Sequence, residues 1–594
     1  MVFIIYHYNK ALELPASYWA QSAWHGLSMD ISFASYLLVV PTLLMSFTFR
    51  QWNWYRRLMQ TYTFVTTLII ALLVCIDLEL FRAWGFRIDG TSLHYLNTPK
   101  EAWASMSAAP IGLVLFIGIL LFLLSNAVLN RVNQRQLPHL SRVKPWALNL
   151  LVFLVTTSAW IIPIRGGFQL APMNQSTVFF SDKSFANYAA VNVPWNYASS
   201  LIHSTHKKDN PFKYAPDSLA QELVQDLYAP ADKITEQLLD PSKLDSTKLN
   251  VIVLIWESFT AKVVEPLGGM KGITPHFNGL IGEGILFNNL YASGNRSDKG
   301  MVAILSGYPA QPTESIIKIP TKTTKLPSLP KSFHRSGYHT AYYYGGETEF
   351  ANMKSYFLQQ DFDKLIDINA FEKKEMNSKW GAHDHIVLNR LLEDLDHTPT
   401  PFFTTLFTLS SHEPFEVPMA TVIPGNGQQE MFLNAMHYSD RAIGNFIEQA
   451  KKKPWWDNTL IIIVADHGHP LPESNLGKPS EFHIPMLWLG GALQRKGEVV
   501  EALSSQTDLA ATLLNQLNLP SNEFVWSNDI LNPSRKPFAY FAFNNGFGWM
   551  RPQGFLIHDN LGGNIIGRQG SLNDSELNIG KAYLQTSFND YLSR

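Results

Sequence analysis

The sequence predicts two unlike parts in series, a membrane α-helical bundle followed by an α/β domain with a largely parallel central sheet. Three observations lead there. Charged residues are sparse before about Arg165 and ordinary after it. The sparse part holds four apolar stretches near the roughly 20 residues that a bilayer crossing needs. From Leu249 onward, short apolar runs rich in β-branched residues alternate with helix-like patterns. That alternation suits strands buried on both faces of a parallel sheet.

At 594 residues the chain exceeds a single core and implies two or three domains. The net charge is −2 with no basic tract, which sets nucleic acid aside as a partner. The one cysteine, Cys75, lies in an apolar run and excludes intramolecular disulfides and cysteine-based zinc sites.

Residues 1–165 form the expected membrane domain, with spans at about 31–49, 58–76, 109–130 and 145–164. Arg50, Arg56 and Arg57 follow the first span; Arg131, Arg135, Arg142 and Lys144 follow the third. Basic loops stay cytoplasmic, so the N-terminus and everything after Ile164 face outward. Trp52, Trp54 and Trp84 are expected at the interfaces. The opening MVFIIYHYNKA is too short to span and lacks the features of a signal peptide. It reads as a surface-lying segment or the stump of a fifth helix. Residues 166–248 form an expected extracytoplasmic connector with short amphipathic helices at Leu219–Leu227 and Ile234–Leu239. The α/β domain covers 249–535, with strands at 250–256, 339–344, 402–408 and 459–465 and helices near 300–306, 385–395 and 438–451. A C-terminal subdomain takes 536–594, opening on the aromatic FAYFAFNNGFGWM (538–550), read as core or an edge strand.

The chemistry gathers at the ends of two strands. NVIVLIW runs into Glu257, and TLIIIVA runs into Asp466-His467-Gly468. Ligands collect at the carboxyl ends of parallel strands, and Asp and His are common donors for zinc or manganese. Between them, Gly294-Asn295-Arg296-Ser297-Asp298-Lys299-Gly300 is a polar turn opening a helix. Two carboxylates, an imidazole and a hydroxyl at one place make a metal site with its own nucleophile, and the helix start directs N–H groups at an incoming phosphate.

From Ser297, SDKGMVAILSG has the spacing of the sulfatase signature, with Ser-Gly nine and ten positions on. Type I sulfatases require Pro and Arg where this chain has Lys299 and Met301, so formylglycine conversion and ordinary sulfate-ester hydrolysis are not expected. IWESF, GNRSDKGMVAILSGYP, YYGGETEFANM, WGAHD, TLSSHEPF, VADHG and FHIP, in this order after the membrane helices, resemble the lipoteichoic acid synthase-like branch of the alkaline phosphatase/sulfatase superfamily. That family usually has five membrane helices and a Thr nucleophile; here four spans and Ser297 stand in those places.

The resemblance implies a membrane-anchored phosphotransferase in a bacterial cytoplasmic membrane, its catalytic domain facing outward. A phosphoglycerol-like group would pass from a phospholipid, through a phospho-Ser297 ester, to a glycan or glycolipid acceptor. Glu257, Ser297, Asp466 and His467 would hold one divalent cation, manganese ahead of magnesium or zinc. His412 matches an active-site histidine that binds phosphate or protonates the leaving oxygen, and His483 a further histidine near the site. Arg296 and Lys299 flank the nucleophile and are expected either to neutralise phosphate or to lie solvated. Glu347, Asn352, Trp380 and Asp384 fall in motifs that line the family's substrate pocket, and His469 reads as a supporting or plain surface histidine. Three other functions remain open at this point: a sulfatase-like phosphodiesterase, a phosphoethanolamine transferase, and a catalytically silent lipid-binding regulator. The soluble half's lack of cysteine counts against the second, because those transferases usually carry disulfides there.

Overall fold

The structure, a computed structural model, describes residues 2–46, 52–84, 87–88, 110–140, 146–169, 172–181, 183–203, 209–228, 235–246, 248–349, 352–473, 477–544, 546–560 and 562–594. It divides into two compact units, Met1–Lys208 and Asp209–Arg594.

Among the described residues of the first unit three helices are long and apolar enough to cross a bilayer, within Ala16–Met45, Trp54–Arg82 and Ile111–Gln134. The first starts well before the expected residue 31, because Ala16–Asp30 carries on as helix outside the apolar run. There it packs on the helix Ser184–Ala190, and Gly26 makes the approach possible, since a Cβ would sit 2.5 Å from the Ala190 carbonyl oxygen. The expected fourth span is interrupted. It forms Trp146–Ala159 and Ile161–Arg165, an apolar run of Leu150–Arg165 that is shorter than the other three. At 1.5 Å per residue it covers only about 24 Å. The opening segment is neither a span nor a loose surface piece. Val2–Tyr6 is helical, and Phe3 is buried edge-on against Phe81 at 4.7 Å. Trp54 is exposed as an interfacial anchor would be, while the side chains of Trp52 and Trp84 and most of residues 85–109 lie outside the described ones.

The connector is not one piece, since the division at 208 falls inside it. In the second unit Asp217–Leu227 is the expected amphipathic helix. Of the helix expected at 234–239, the described residues 235–239 are not helical, and Leu239 bridges Leu493. Backbone partners explain this. Glu236, Leu238 and Asp240 donate to the Leu531 carbonyl, Gln516 Oε1 and the Ala492 carbonyl, leaving no i−4 ladder to form.

The second unit is built on a nine-stranded sheet. Its strands are β1 (Asn250–Trp256), β2 (Ile285–Tyr291), β3 (His339–Tyr344), β4 (Lys364–Ile366), β5 (Phe402–Phe407), β6 (Thr459–Ala465), β7 (His483–Leu489), β8 (Glu498–Val500) and β9 (Ser504–Ser505). Spatial order is β4-β3-β5-β1-β6-β7-β2-β8, with β9 also on β2. The first five positions are mutually parallel and β7 is antiparallel to both neighbours, so the sheet is largely parallel as expected. β1 and β6, buried along their whole length, lie side by side at the centre. Their C-terminal residues, Trp256 and Ala465, are register partners, so Glu257 and Asp466 are delivered together. Of the strands of this sheet missed from the sequence, β2 (ILFNNLY) is broken by two asparagines and β4, β8 and β9 have only two or three residues (KLI, EVV, SS), while the apolar β7 (HIPMLWL) opens on a histidine and carries a proline.

The aromatic segment at 538–550 is both core and strand. It forms the hairpin β10 (Ala539–Phe543) and β11 (Gly546–Arg551), continued by β12 (Gly554–Asp559) and β13 (Asn564–Gly570) in an antiparallel sheet. Tyr540, Phe547 and Trp549 are fully buried, and the helix Asp574–Ser593 adds Tyr583 to the same hydrophobic core as β1 and β6. No core boundary marks the expected division at 535/536.

Candidate active site

Glu257 leaves β1 and Asp466 leaves β6 with both carboxylates buried. Ser297 opens the helix Ser297–Ser306, which comes in so closely that a Cβ on Gly300 would lie 2.0 Å from the Asp466 carbonyl oxygen. Only glycine fits at that point. Gly300→Ala is expected to push the helix start off the strand end and lower turnover at least about 100-fold, since displacements near 1 Å have that effect on positioned groups; steady-state kinetics with a melting curve checks it.

Ser297 Oγ donates to Glu257 Oε2 at 3.1 Å and lies 3.4 Å from His467 Nε2. His467 Nε2 is 3.6 Å from Glu257 Oε1 and 3.4 Å from Asp466 Oδ2. Its Nδ1 donates to the Gly468 carbonyl at 2.6 Å, which turns the Nε2 lone pair to the centre. Glu257, Asp466 and His467 each offer a ligand atom within 4.8 Å of the others. The four side chains expected together are together.

The site leaves room for a cation in chemical terms. Asp466 Oδ2 is buried with no hydrogen-bond partner, whereas Oδ1 accepts from the backbone N–H groups of Ser258 and His467, both at 2.8 Å. Burial and the Glu257 charge push the Asp466 carboxyl up to about 7. His467 is raised as well: burial opposes its charge, but Asp466 and Glu257 outweigh that. For Glu257 burial works upward, yet His467, His412 and the hydroxyls of Ser258 and Ser297 bring its carboxyl down. Two carboxylates with too little positive charge between them, an imidazole and a hydroxyl are the donor set of a divalent ion.

Groups the sequence reading did not single out hold this arrangement. Ser258, in the left-handed region at φ 58°, donates to Glu257 Oε1 at 2.6 Å. Thr408 Oγ1 accepts from the Glu257 N–H, and Ser411 Oγ donates to the Glu257 carbonyl at 2.6 Å. Gln506 Nε2 donates to the carbonyls of Ala465 and Asp466. Ser258 and Ser411 sat inside motifs already noticed; nothing in the sequence marked Gln506.

The outer residues divide. His412 is half-buried. Its ring lies 4.5 Å from that of Trp380. Glu347 is half-buried in the loop after β3, joined to the Trp380 segment by the bridge between Gly346 and Gly381. Arg296 caps the nucleophile's helix and is exposed.

Four residues are placed differently. Lys299 is buried, with Nζ bound to the Gln311 and Pro312 carbonyls at 2.7 and 3.0 Å, and burial brings it down to about 8; it braces the 309–312 turn and does not face a phosphate. Asp384 is buried under the His412 loop, accepting from the N–H groups of Leu409 and Ser410 and the Ser439 hydroxyl. His483 opens β7, donates Nε2–H to the Asn288 carbonyl at 2.8 Å and stacks on Tyr291. Asn352, in the left-handed region, binds the Lys318 carbonyl at 2.9 Å. His469 is not a plain surface group either: it stacks on Phe432 at 4.3 Å, and burial takes it down to about 3.

Residues 249–519 match the family model described as Sulfatase. The chain carries a sulfatase domain of the alkaline phosphatase superfamily. Curated relatives include the lipoteichoic acid synthase-like YvgJ of Bacillus subtilis, 24% identical over 337 residues, covering 50% of this chain and 53% of that one. A phosphoglycerol transferase I of Xanthomonas campestris is 26% identical over 298 residues, covering 47% and 42%. The chain thus spans about half the length of the curated relatives it matches. Among solved structures, a protein in the alkaline phosphatase superfamily from Vibrio parahaemolyticus superposes with a TM-score of 0.57 at 25% identity, over 64% of this chain and 97% of that one. The lipoteichoic acid synthase LtaP of Listeria monocytogenes superposes with a TM-score of 0.51 at 18% identity, over 63% and 98%, a likeness of fold alone. In the sulfatase domain, the match runs from just before β1 to the residues after Gln516, and so contains all four clustered residues.

Proposed function

We propose that the protein is a membrane-anchored, metal-dependent transferase that moves a phosphoglycerol-like group from a phospholipid to an outward-facing glycan or lipid acceptor. One observation carries this reading: the Ser297 hydroxyl stands at a helix start, hydrogen-bonded to a buried carboxylate and beside His467. The names of the relatives support the phosphoglycerol donor. The three long apolar helices support access to a lipid, and the basic loops support an outward-facing domain on a bacterial cytoplasmic membrane.

Glu257, Asp466, His467 and Ser297 would hold the divalent ion, manganese being the first candidate. When bound, such an ion lowers the pKa of a serine hydroxyl and withdraws charge from a phosphoryl oxygen. Ser297 Oγ attacks phosphorus in line, its proton leaving along the hydrogen bond toward Glu257 Oε2. The Oγ–P bond forms as the P–O bond to the lipid glycerol breaks, and His412, entering this step as the imidazolium, gives its Nε2 proton to the departing diacylglycerol oxygen and is left neutral. The N–H groups of the helix start and Arg296 face the phosphate charge. An acceptor hydroxyl then attacks phosphorus from the side opposite Ser297 and gives its proton to Nε2 of the now neutral His412, while the Oγ–P bond breaks and Ser297 Oγ takes back the proton held at Glu257 Oε2.

The test is incubation with head-group-labelled phospholipid and an oligosaccharide acceptor, followed by thin-layer separation. Diacylglycerol with labelled acceptor is the expected result. Free glycerol phosphate in its place would make the protein a phosphodiesterase, and intact lipid under every metal condition would make it a silent lipid-binding protein.

A further inference from the structure

We propose that Trp380 is a positioning residue that sets the tautomer of His412. The inference rests on the role given to His412 above, but its geometry stands separately. His412 Nδ1 lies 3.0 Å from the carbonyl oxygen of Glu413. A carbonyl only accepts, so Nδ1 carries the proton and neutral His412 offers its lone pair at Nε2. The same carbonyl accepts the indole N–H of Trp380. Both lone pairs of one oxygen are then used, and the indole holds that peptide group turned toward the imidazole. Trp380 also lies edge-on to the His412 ring, at 4.5 Å and 65°.

The indole is itself held. Ser378 Oγ accepts from the backbone N–H groups of Trp380 and Gly381 at 3.2 and 3.1 Å. The Lys379 N–H donates to Glu416 Oε2 at 2.6 Å, tying the tryptophan's segment to the loop that carries His412. Beneath that loop Asp384 takes the Leu409 and Ser410 N–H groups. His412 is thus set from below by a carboxylate and from the side by an indole. A base for an acceptor hydroxyl, or an acid for a leaving alkoxide, works through Nε2 in this arrangement. In the acceptor step, where His412 is neutral, the other tautomer would place N–H where a lone pair is required.

The experiment is nitrogen NMR on the full chain labelled with ring-15N histidine, His412 being assigned by the signal lost in His412→Gln. Neutral His412 is expected as the Nδ1–H form in the wild type and as a mixture in Trp380→Phe, which keeps an aromatic face and removes only the N–H. In kinetics, Trp380→Phe is expected to lower kcat about 5-fold with KM unchanged, the effect of one net hydrogen bond, and to cost nothing further in the His412→Gln background. An Nε2–H form in the wild type, an unchanged ring in Trp380→Phe, or a rise in KM alone would overturn the proposal. Should wild-type turnover prove absent or indifferent to Ser297→Ala, the transferase reading fails, and the ring-nitrogen signals still decide this one.

Discussion

Replacing Ser297 by alanine is expected to lower turnover by about a thousandfold or more and to abolish the phospho-adduct on the protein. The size follows from what is removed: in covalent catalysis the nucleophile's loss forfeits the whole two-step route, not a single contact. The fold should survive. Ser297 is only partly buried and opens the helix Ser297–Ser306, whose other residues are buried, and alanine is a good helix former. Mass spectrometry after incubation with phospholipid checks this directly. The wild type should gain a phospho-group at Ser297 and Ser297→Ala nothing, with unchanged melting. A surviving adduct in the variant would move the nucleophile elsewhere.

The second large effect is expected from Asp466→Asn, read as bound metal. The amide can keep Oδ1 where it accepts the Ser258 and His467 N–H groups, so the β6 turn stays satisfied. Its NH2 then takes the place of Oδ2, the buried atom with no partner. Donor hydrogens there face a cation, and a negative charge is lost. Metal affinity should fall by at least about 100-fold, more than the loss of a supporting group costs. Elemental analysis after dialysis against manganese should give about one ion per wild-type chain and a small fraction of that in the variant, while circular dichroism stays the same. Full metal content in Asp466→Asn would show the ion bound elsewhere.

Much of the fold was legible because strand burial writes itself locally. NVIVLIW and TLIIIVA are continuous apolar runs, and both became central strands buried along their length. β2 was not legible, because Asn288 and Asn289 interrupt its pattern where the pairing with β7 slips register. The 234–239 segment misled for the opposite reason: its local period suits a helix, but the carbonyls and amide offered by Leu531, Ala492 and Gln516 hold Glu236, Leu238 and Asp240 out of one. In the membrane part, composition marked the apolar runs, while the extension of the first helix back to Ala16 came from packing against Ser184–Ala190.

By itself the sequence determined that Glu257 and Asp466-His467 would end strands and that Ser297 would start a helix, since hydrophobic runs and polar turns are local properties. Only the tertiary structure decided that β1 and β6 are neighbours in register, and hence that the four groups meet. It also decided against equally plausible candidates. Lys299, Asp384 and His483 stand in the right motifs, but each is captured by backbone groups far along the chain: Gln311 and Pro312 carbonyls, Leu409 and Ser410 N–H groups, the Asn288 carbonyl. A buried polar side chain goes to whatever partner spares it an unpaired burial, and that partner is chosen by the folded chain, not by sequence spacing.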